Sequence, residues 1–95
     1  PVSYHVVFTK RAKKQLEDIP SKQRQLVLAW IQRNLVGCEN PRSIEGSKQI
    51  KGTSAGWRYR VGSYRILAKI VDDELVIEVV RVGHRQGVYS NLPDL

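Results

Sequence analysis

The sequence predicts an α+β domain in which an N-terminal strand precedes two helices that pack on one face of a small antiparallel sheet. Positions 3–8 are rich in β-branched and aromatic residues, apolar residues then recur at helical spacing up to Leu35, and strand-like runs separated by short turns occupy 57–82. Helices grouped before strands, instead of alternating with them, are typical of α+β folds. The 95 residues have the size of one domain, so we expect a single domain over 1–95.

Residues 3–8 predict a strand that leads directly into the first helix. Thr9 follows this strand and is a good N-cap, because its hydroxyl can accept a hydrogen bond from a free N–H of the first helical turn. The helix ends before Pro20, since a residue that precedes proline disfavours helical geometry. Its apolar residues recur at helical spacing: Ala12, Leu16 and Ile19.

The second helix has the stronger amphipathic pattern. Ser21 is its expected N-cap and Gly37 its C-terminal stop. One apolar stripe is predicted to face the sheet, and it contains Val27, Leu28, Trp30, Ile31 and Leu35. Such a stripe is what a helix needs to bury one side against a neighbouring layer.

Residues 37–56 are rich in glycine, proline, asparagine and serine, which predicts a loop with at most a short strand around 49–51. Three strands are predicted after the loop, at 57–61, 64–71 and 75–82. Tight turns join them, so they form an antiparallel meander. Strand alternation then turns Trp57 and Tyr59 toward the helices as core residues. The opposite face of the sheet is left free for a ligand.

The charge of the chain indicates its class of partner. Sixteen lysine and arginine residues against nine acidic residues give a formal net charge of +7 and a pI near 9.9. Such an imbalance costs self-repulsion, which favours a polyanion or an acidic partner protein. No apolar stretch is long enough for a membrane span or a signal peptide, and the single Cys38 allows no internal disulfide. We therefore expect a cytoplasmic protein with no membrane partner.

The positive charge is concentrated between Glu45 and Asp72, where no acidic residue occurs. The cations in this stretch are Lys48, Lys51, Arg58, Arg60, Arg65 and Lys69. Arg58 and Arg60 are two apart and share one face of their strand, and cations paired across a hairpin repel each other unless an anion lies between them. We interpret the set as an RNA-binding groove, with a merely solvated sheet face as the alternative.

A second group of cations lies in the first turns of the first helix, at Lys10, Arg11, Lys13 and Lys14. The helix dipole disfavours positive charge there by about 0.3 to 1 kcal/mol per residue. Stability alone does not select such residues. They are predicted to contact RNA phosphates, and improved solubility is the alternative explanation.

The segment after the last strand brings three chemically useful residues together, namely His84, Arg85 and Tyr89. RNA cleavage through the ribose 2′-OH needs a proton acceptor, a proton donor for the leaving 5′-oxygen and positive charge on the phosphate, and it needs no metal. The sequence has neither metal-ligand spacing nor a glycine-rich phosphate loop, so no metal and no cofactor is expected. A lone histidine at a strand end is more often structural.

These segments resemble the RelE-type toxins of bacterial toxin-antitoxin systems, within the RelE/ParE superfamily, over the whole chain. The matching stretches are IKG at 50–52, WRYRV at 57–61, SYRI at 63–66, VDD at 71–73, VGHR at 82–85 and VY at 88–89. The resemblance implies a RelE-like fold and a toxin that enters the ribosomal A site and cleaves mRNA there. It also implies three partners: a cognate antitoxin that keeps the toxin inactive, the ribosome with its rRNA, and mRNA.

The resemblance also implies a catalytic set. The two cationic positions of the first meander strand match Arg58 and Arg60, and the arginine after the tyrosine matches Arg65. Arg85 and Tyr89 match the active residues of the C-terminal segment, and His84 joins the predicted set as a titratable neighbour. The best-known members carry lysines where this chain has Arg58 and Arg60, and arginine does not act as a base. Proton transfer then falls to Tyr89, to His84 or to ribosomal RNA.

Fold alone does not decide function, because the superfamily includes gyrase-poisoning relatives that lack nuclease activity. A ParE-like gyrase inhibitor and a non-catalytic basic nucleic-acid-binding module are therefore the alternatives to a ribosome-dependent ribonuclease. The full set of arginines together with Tyr89 favours the ribonuclease.

Overall fold

The structure, a computed structural model, describes residues 2–84 and 86–95. Its elements in chain order are β1 (His5–Phe8), α1 (Lys10–Asp18), α2 (Ser21–Asn34), β2 (Lys48–Gln49), β3 (Gly56–Val61), β4 (Tyr64–Val71) and β5 (Val76–His84). Short 3-10 helices lie at Asp72–Glu74 and Gln86–Tyr89. Within the described ranges, no helix has the length and apolar character that are needed to cross a membrane.

The strands form one sheet in the order β1-β5-β4-β3-β2. The predicted meander of β3, β4 and β5 is antiparallel, as short turns require. β1 instead pairs with β5 in parallel, with His5 opposite Val76 and Phe8 opposite Val79, so the sheet is mixed. No tight turn joins β1 to β5, and the intervening helices and strands bring the chain back in the same direction. The predicted α+β class is confirmed.

Local signals at the helix ends are partly confirmed. The Thr9 hydroxyl accepts a hydrogen bond from the N–H of Ala12 at 3.1 Å, so Thr9 caps α1 as predicted. Ser21 does not cap α2, because the helix begins at Ser21 itself and Pro20 occupies the cap position without a side-chain bond. Gly37 follows α2 with φ +77°, a left-handed conformation that favours glycine at a helix end.

The main core lies between the helices and the sheet. α2 contributes Val27 and Ile31, and Leu35 directly follows the helix, whereas Leu28 is 41% exposed, so the buried stripe is narrower than predicted. Tyr59 of β3 is fully buried, and its hydroxyl donates to the carbonyl oxygen of Pro41 at 2.7 Å. The predicted core position of Tyr59 is therefore confirmed, and its buried hydroxyl has a hydrogen-bond acceptor, as a buried phenol usually does.

The opposite face of the sheet is not wholly free, contrary to expectation. Residues 86–95, which we call the C-terminal segment, cross this face and build a second, smaller core from Ile50, Leu67, Val80 and Val88. The end of the segment is held by the Ser54 N–H, which donates to the carbonyl oxygen of Leu95 at 3.1 Å. Apolar residues near the chain end cover apolar positions of β4 and β5 that would otherwise face water.

One ion pair fastens the loop after α2 to the turn between β4 and β5. Arg42 donates two hydrogen bonds to the Asp72 carboxylate, at 3.1 Å and 3.0 Å, and the Tyr4 hydroxyl donates a third at 2.6 Å. The Arg42 guanidinium, followed by the Tyr4 hydroxyl, lowers the pKa of Asp72 below its ordinary value. The three side chains connect segments that are far apart in the sequence.

Candidate active site

The predicted arginines of the meander lie on the sheet face opposite the helices. Arg58 and Arg60 flank the buried Tyr59 on β3, so alternation turns both of them away from the main core. Arg60 lies directly opposite Arg65 on the neighbouring strand β4. Two like charges at directly opposed positions destabilise a sheet by several tenths of a kcal/mol. A bound anion would relieve this repulsion.

A basic groove lies beside this pair. It has a volume of about 660 Å³. We call it the basic groove, and its lining includes Lys48, Lys51, Arg58 and Tyr89. Lys48 of β2 is directly opposite Arg58 of β3. The Nε atom of Arg58 is buried and has no hydrogen-bond acceptor among the described residues. The lysines and the arginine that line the groove offer several positive charges to a phosphate.

Tyr89 connects the basic groove to the arginine pair on the sheet. The guanidinium carbon of Arg65 lies 6.0 Å from the centre of the Tyr89 ring, within the range of a cation–π contact. The ring is half-buried, because the 3-10 helix Gln86–Tyr89 holds it against the second core. A cation and a phenol thus stand together at one edge of the groove.

Among the described residues, no Asp or Glu side chain lines the groove. Over residues 2–84 and 86–95, the only ion pair joins Arg42 to Asp72, and neither of these residues lines the groove. The positive potential of the groove is thus available to a polyanion, whose binding releases counterions.

His84 lies on the other side of the sheet. It is directly opposite Tyr64, and the two rings stack with centroids 4.1 Å apart and an interplanar angle of 24°. Tyr64 belongs to the main core, so both rings are on the helix side, where His84 and Gln15 line a separate hollow of about 290 Å³. The structure therefore does not bring His84 together with the groove. Arg85 lies outside the described residues.

The cations predicted to bind RNA divide into three groups. Lys48 and Lys51 line the basic groove. Lys69 shares the sheet face of Arg65 but lies farther along β4, opposite Glu78. The remaining cations are exposed on α1, which packs on the helix side of β5: Lys10, Arg11, Lys13 and Lys14. One bound phosphate chain would have to pass around the sheet edge to reach all three groups.

Sequence reasoning missed one residue that contacts the C-terminal segment. Arg81 on β5 is 6% exposed, and its guanidinium donates to the carbonyl oxygens of Val80 and Asn91. A cation inside the apolar run of 75–82 is the signal that marks it, because arginine is rarely buried without a partner. In the part of the chain that the structure describes, no three His, Cys, Asp or Glu side chains are grouped as a metal site.

Comparison with known proteins identifies the family. The family model for the ParE toxin of the type II toxin-antitoxin system parDE matches residues 6–89. Toxin RelE3 of Methanocaldococcus jannaschii is 32% identical over 92 residues, which cover 93% of this chain and 98% of the relative. The chain belongs to the RelE/ParE family of type II toxins. Toxin RelG of Mycobacterium tuberculosis is 29% identical over 87 residues, which cover 90% of this RelE/ParE toxin and 95% of the relative.

Solved structures agree with the fold of this RelE/ParE toxin. A chain of the toxin-antitoxin complex RelBE2 from Mycobacterium tuberculosis matches with a TM-score of 0.75 and 27% identity, over 88% of this chain and 93% of that chain. A substituted RelE toxin of E. coli in the free state matches with a TM-score of 0.74 and 27% identity, over 93% of this chain and 92% of that chain. A chain of the RelB-RelE complex from Methanococcus jannaschii matches with a TM-score of 0.66 and 31% identity, over 92% of this chain and 99% of that chain. The predicted RelE-like fold is confirmed.

Proposed function

We propose that this RelE/ParE toxin is a ribosome-dependent endoribonuclease that cleaves mRNA in the ribosomal A site. The observation that carries the proposal is the position of Tyr89, whose ring lies beside Arg65 and also lines the groove with Arg58. RNA cleavage needs positive charge on the phosphate and a group that transfers protons. The described residues offer both functions within one groove.

The reaction we propose is an internal transfer at the scissile phosphate. The ribose 2′-oxygen forms a bond to phosphorus, and the bond from phosphorus to the 5′-oxygen breaks, which leaves a 2′,3′-cyclic phosphate and a 5′-hydroxyl. Negative charge builds on the phosphate oxygens in the transition state. Arg65 beside the ring and Arg58 in the groove are positioned to stabilise that charge, because guanidinium donors bind phosphate oxygens in fixed geometry.

Tyr89 is the proton-transfer group of this proposal. A phenol carries an O–H donor, so it can protonate the leaving 5′-oxygen as a general acid. His84 stacks on Tyr64 at the other face of the sheet, which disfavours it for this step. The proton of the 2′-hydroxyl then passes to a group outside the toxin, for which ribosomal RNA is the candidate. Cleavage would in that case depend on the ribosome.

The other predicted residues take supporting roles in the proposal. Arg60 lies opposite Arg65 and extends the positive surface toward the adjoining phosphates. Lys48 and Lys51, which also line the groove, hold the RNA backbone. The proposed phosphate contact of Arg85 rests on the family resemblance alone.

We further propose a cognate antitoxin as the partner that keeps the toxin inactive. The similar toxins from Mycobacterium tuberculosis and Methanococcus jannaschii were solved in toxin-antitoxin complexes. An acidic antitoxin segment would offset the net charge of +7, as phosphates would on the ribosome.

A translation extract tests the enzymatic function. A defined message is incubated with the toxin, with and without ribosomes, and new 5′ ends are mapped. Cuts that appear only on translating ribosomes are the expected result. An intact message in the presence of translating ribosomes would overturn the proposal.

Gyrase inhibition is the second candidate, because the matching family model is that of the ParE toxin. The same preparation is therefore added to DNA gyrase and supercoiled plasmid. An intact message together with stalled cleavage complexes on DNA would favour the gyrase inhibitor. Binding to both nucleic acids without any new ends would favour a non-catalytic module.

A further inference from the structure

Arg81 is a buried cation in the middle of the sheet. With 6% of its surface exposed, it is the only buried charged side chain in the described part of the chain. Its neighbours along β5, Val80 and Val82, are both buried. Arginine is almost never fully buried unless a partner compensates its charge. Its position therefore calls for a specific explanation.

A β-bulge and two hydrogen bonds define its geometry. Leu67 pairs with Arg81 and Ala68 with Val79, so Val80 is an extra residue on β5. Bulges re-aim side chains beside functional sites. One terminal nitrogen of Arg81 donates to the Val80 carbonyl oxygen at 2.8 Å, and the other donates to the Asn91 carbonyl oxygen at 2.6 Å. The side chain thus joins the sheet to the C-terminal segment.

The acceptor end of this bridge has an unusual backbone conformation. Asn91 has φ +54°, in the left-handed region that asparagine tolerates better than most residues. Its carbonyl group accepts the shorter of the two bonds from Arg81. Asn91 follows Tyr89 by two positions, so the bridge holds the chain immediately after the tyrosine.

Stability alone does not explain an arginine at this position. Its guanidinium has no carboxylate partner within the described ranges, and its Nε atom is buried without an acceptor. Burial, and then repulsion from Arg11, lower the pKa of Arg81 below its ordinary value. Replacing buried charges by apolar residues of similar volume is often neutral or stabilising. A leucine or methionine would avoid the cost of a buried charge but would leave the Val80 and Asn91 carbonyl groups without this donor, so what the arginine adds is the connection between the two segments.

We infer that Arg81 is a positioning residue that holds the C-terminal segment so that the Tyr89 ring stays beside Arg65. The inference rests on the proposed ribonuclease function for its catalytic consequence, but the bridge itself does not. Two nitrogens in a rigid fork reach two carbonyl groups on different segments, which a single ammonium group on a flexible stem does not reproduce. A small displacement of a catalytic group costs up to about 100-fold in rate.

A double-mutant cycle tests the catalytic consequence. Arg81→Leu and Tyr89→Phe are made singly and together, and single-turnover cleavage and ribosome affinity are measured for each protein. We expect Arg81→Leu alone to slow cleavage by about 10- to 100-fold with little change in ribosome affinity. In the Tyr89→Phe background, we expect the same substitution to slow cleavage by less than about 3-fold more. An equal loss in both backgrounds would overturn the inference, as would wild-type cleavage by Arg81→Leu.

Amide hydrogen exchange tests the bridge independently of activity. In Arg81→Leu, we expect amides of residues 88–95 to exchange at least about tenfold faster, while those of the main core stay protected. Arg81→Lys keeps the charge but loses the fork, so we expect it to behave like Arg81→Leu. Unchanged exchange over 88–95 in both variants would overturn the inference. If the wild-type toxin does not cleave mRNA but the exchange result holds, the proposed function fails and the bridge stands.

Should Arg81→Leu fail to fold, Arg81→Met keeps an unbranched side chain of similar length in the same space. The same two measurements apply to it, with the same expected and contrary results. A folded Arg81→Met protein with normal exchange over residues 88–95 and normal cleavage would overturn the inference.

Discussion

The guanidinium carbon of Arg65 lies 6.0 Å from the centre of the Tyr89 ring, and this contact joins β4 to the C-terminal segment. Arg65 also lies directly opposite Arg60 on the neighbouring strand. Arg65 therefore has an aromatic ring beside its guanidinium and a second arginine at the paired position of the neighbouring strand. A phosphate bound here would meet both positive charges at once, which makes Arg65 the most informative residue to change.

Arg65→Ala is expected to lower single-turnover cleavage on ribosomes by about 100- to 1000-fold, because one donor to the developing charge is lost. The side chain is only half-buried, so the fold should survive, which circular dichroism checks. Arg33→Ala removes an exposed arginine from α2 and is the matched control, with cleavage near that of the wild type. Full growth inhibition by a folded Arg65→Ala protein would contradict the assignment.

The proton-transfer group can be assigned with two substitutions. Tyr89→Phe removes the hydroxyl and keeps the ring beside Arg65, and we expect it to slow cleavage by about 100-fold. His84→Gln removes the imidazole from the opposite side of the sheet, and we expect it to cleave normally. Ribosome affinity is measured for both, so that binding and chemistry are separated. If His84→Gln is slow and Tyr89→Phe is normal, the imidazole transfers the proton.

The local parts of this fold could be predicted from the sequence. The Thr9 cap depends on neighbours within one helical turn, and the meander depends on short turns and alternation. Alternation around the buried Tyr59 also predicted correctly that Arg58 and Arg60 lie on the sheet face away from the main core. Each of these inferences needs only a few consecutive residues.

The long-range parts could not be predicted. The residues in and around β1 do not indicate that it pairs with β5. The residues around Val88 do not indicate that the C-terminal segment covers Leu67. His84 lies four positions beyond the bulge at Val80, and its side of the sheet follows from the register that places it opposite Tyr64. A shift of one residue would have moved it to the other face. Site geometry here depends on contacts between distant segments.

The proposed antitoxin complex makes a kinetic prediction. An acidic, amphipathic helix that covers the arginine-bearing sheet face, or draws the C-terminal segment away from it, should associate fast and in a salt-sensitive manner. We expect the association rate to fall by about tenfold or more from low to high ionic strength. Arg60→Ala should weaken this dependence, whereas Lys22→Ala on α2 should not. A tight complex whose association rate does not change with ionic strength would contradict the prediction.

The ion pair between Arg42 and Asp72 predicts how stability depends on pH. The pKa of Asp72 is lowered in the folded state, chiefly by hydrogen bonds from Arg42 and then from Tyr4. A group whose folded pKa lies below its unfolded value adds stability above the unfolded pKa, and that stability is lost as the pH falls through the folded pKa. The side chains are 38% and 54% exposed, so we expect a contribution of less than about 1 kcal/mol at neutral pH.

Asp72→Asn tests this contribution, because asparagine keeps the shape of the side chain and removes its charge. The free energy of unfolding is measured by urea denaturation for the variant and the wild type, at neutral pH and at a pH below about 3. The wild type should be the more stable protein at neutral pH, and the difference should shrink as the pH falls, because Asp72 takes up a proton. Asp73→Asn changes the exposed neighbouring carboxylate and should show a smaller difference at neutral pH. A difference between Asp72→Asn and the wild type that is the same at both pH values would show that the ion pair adds no stability.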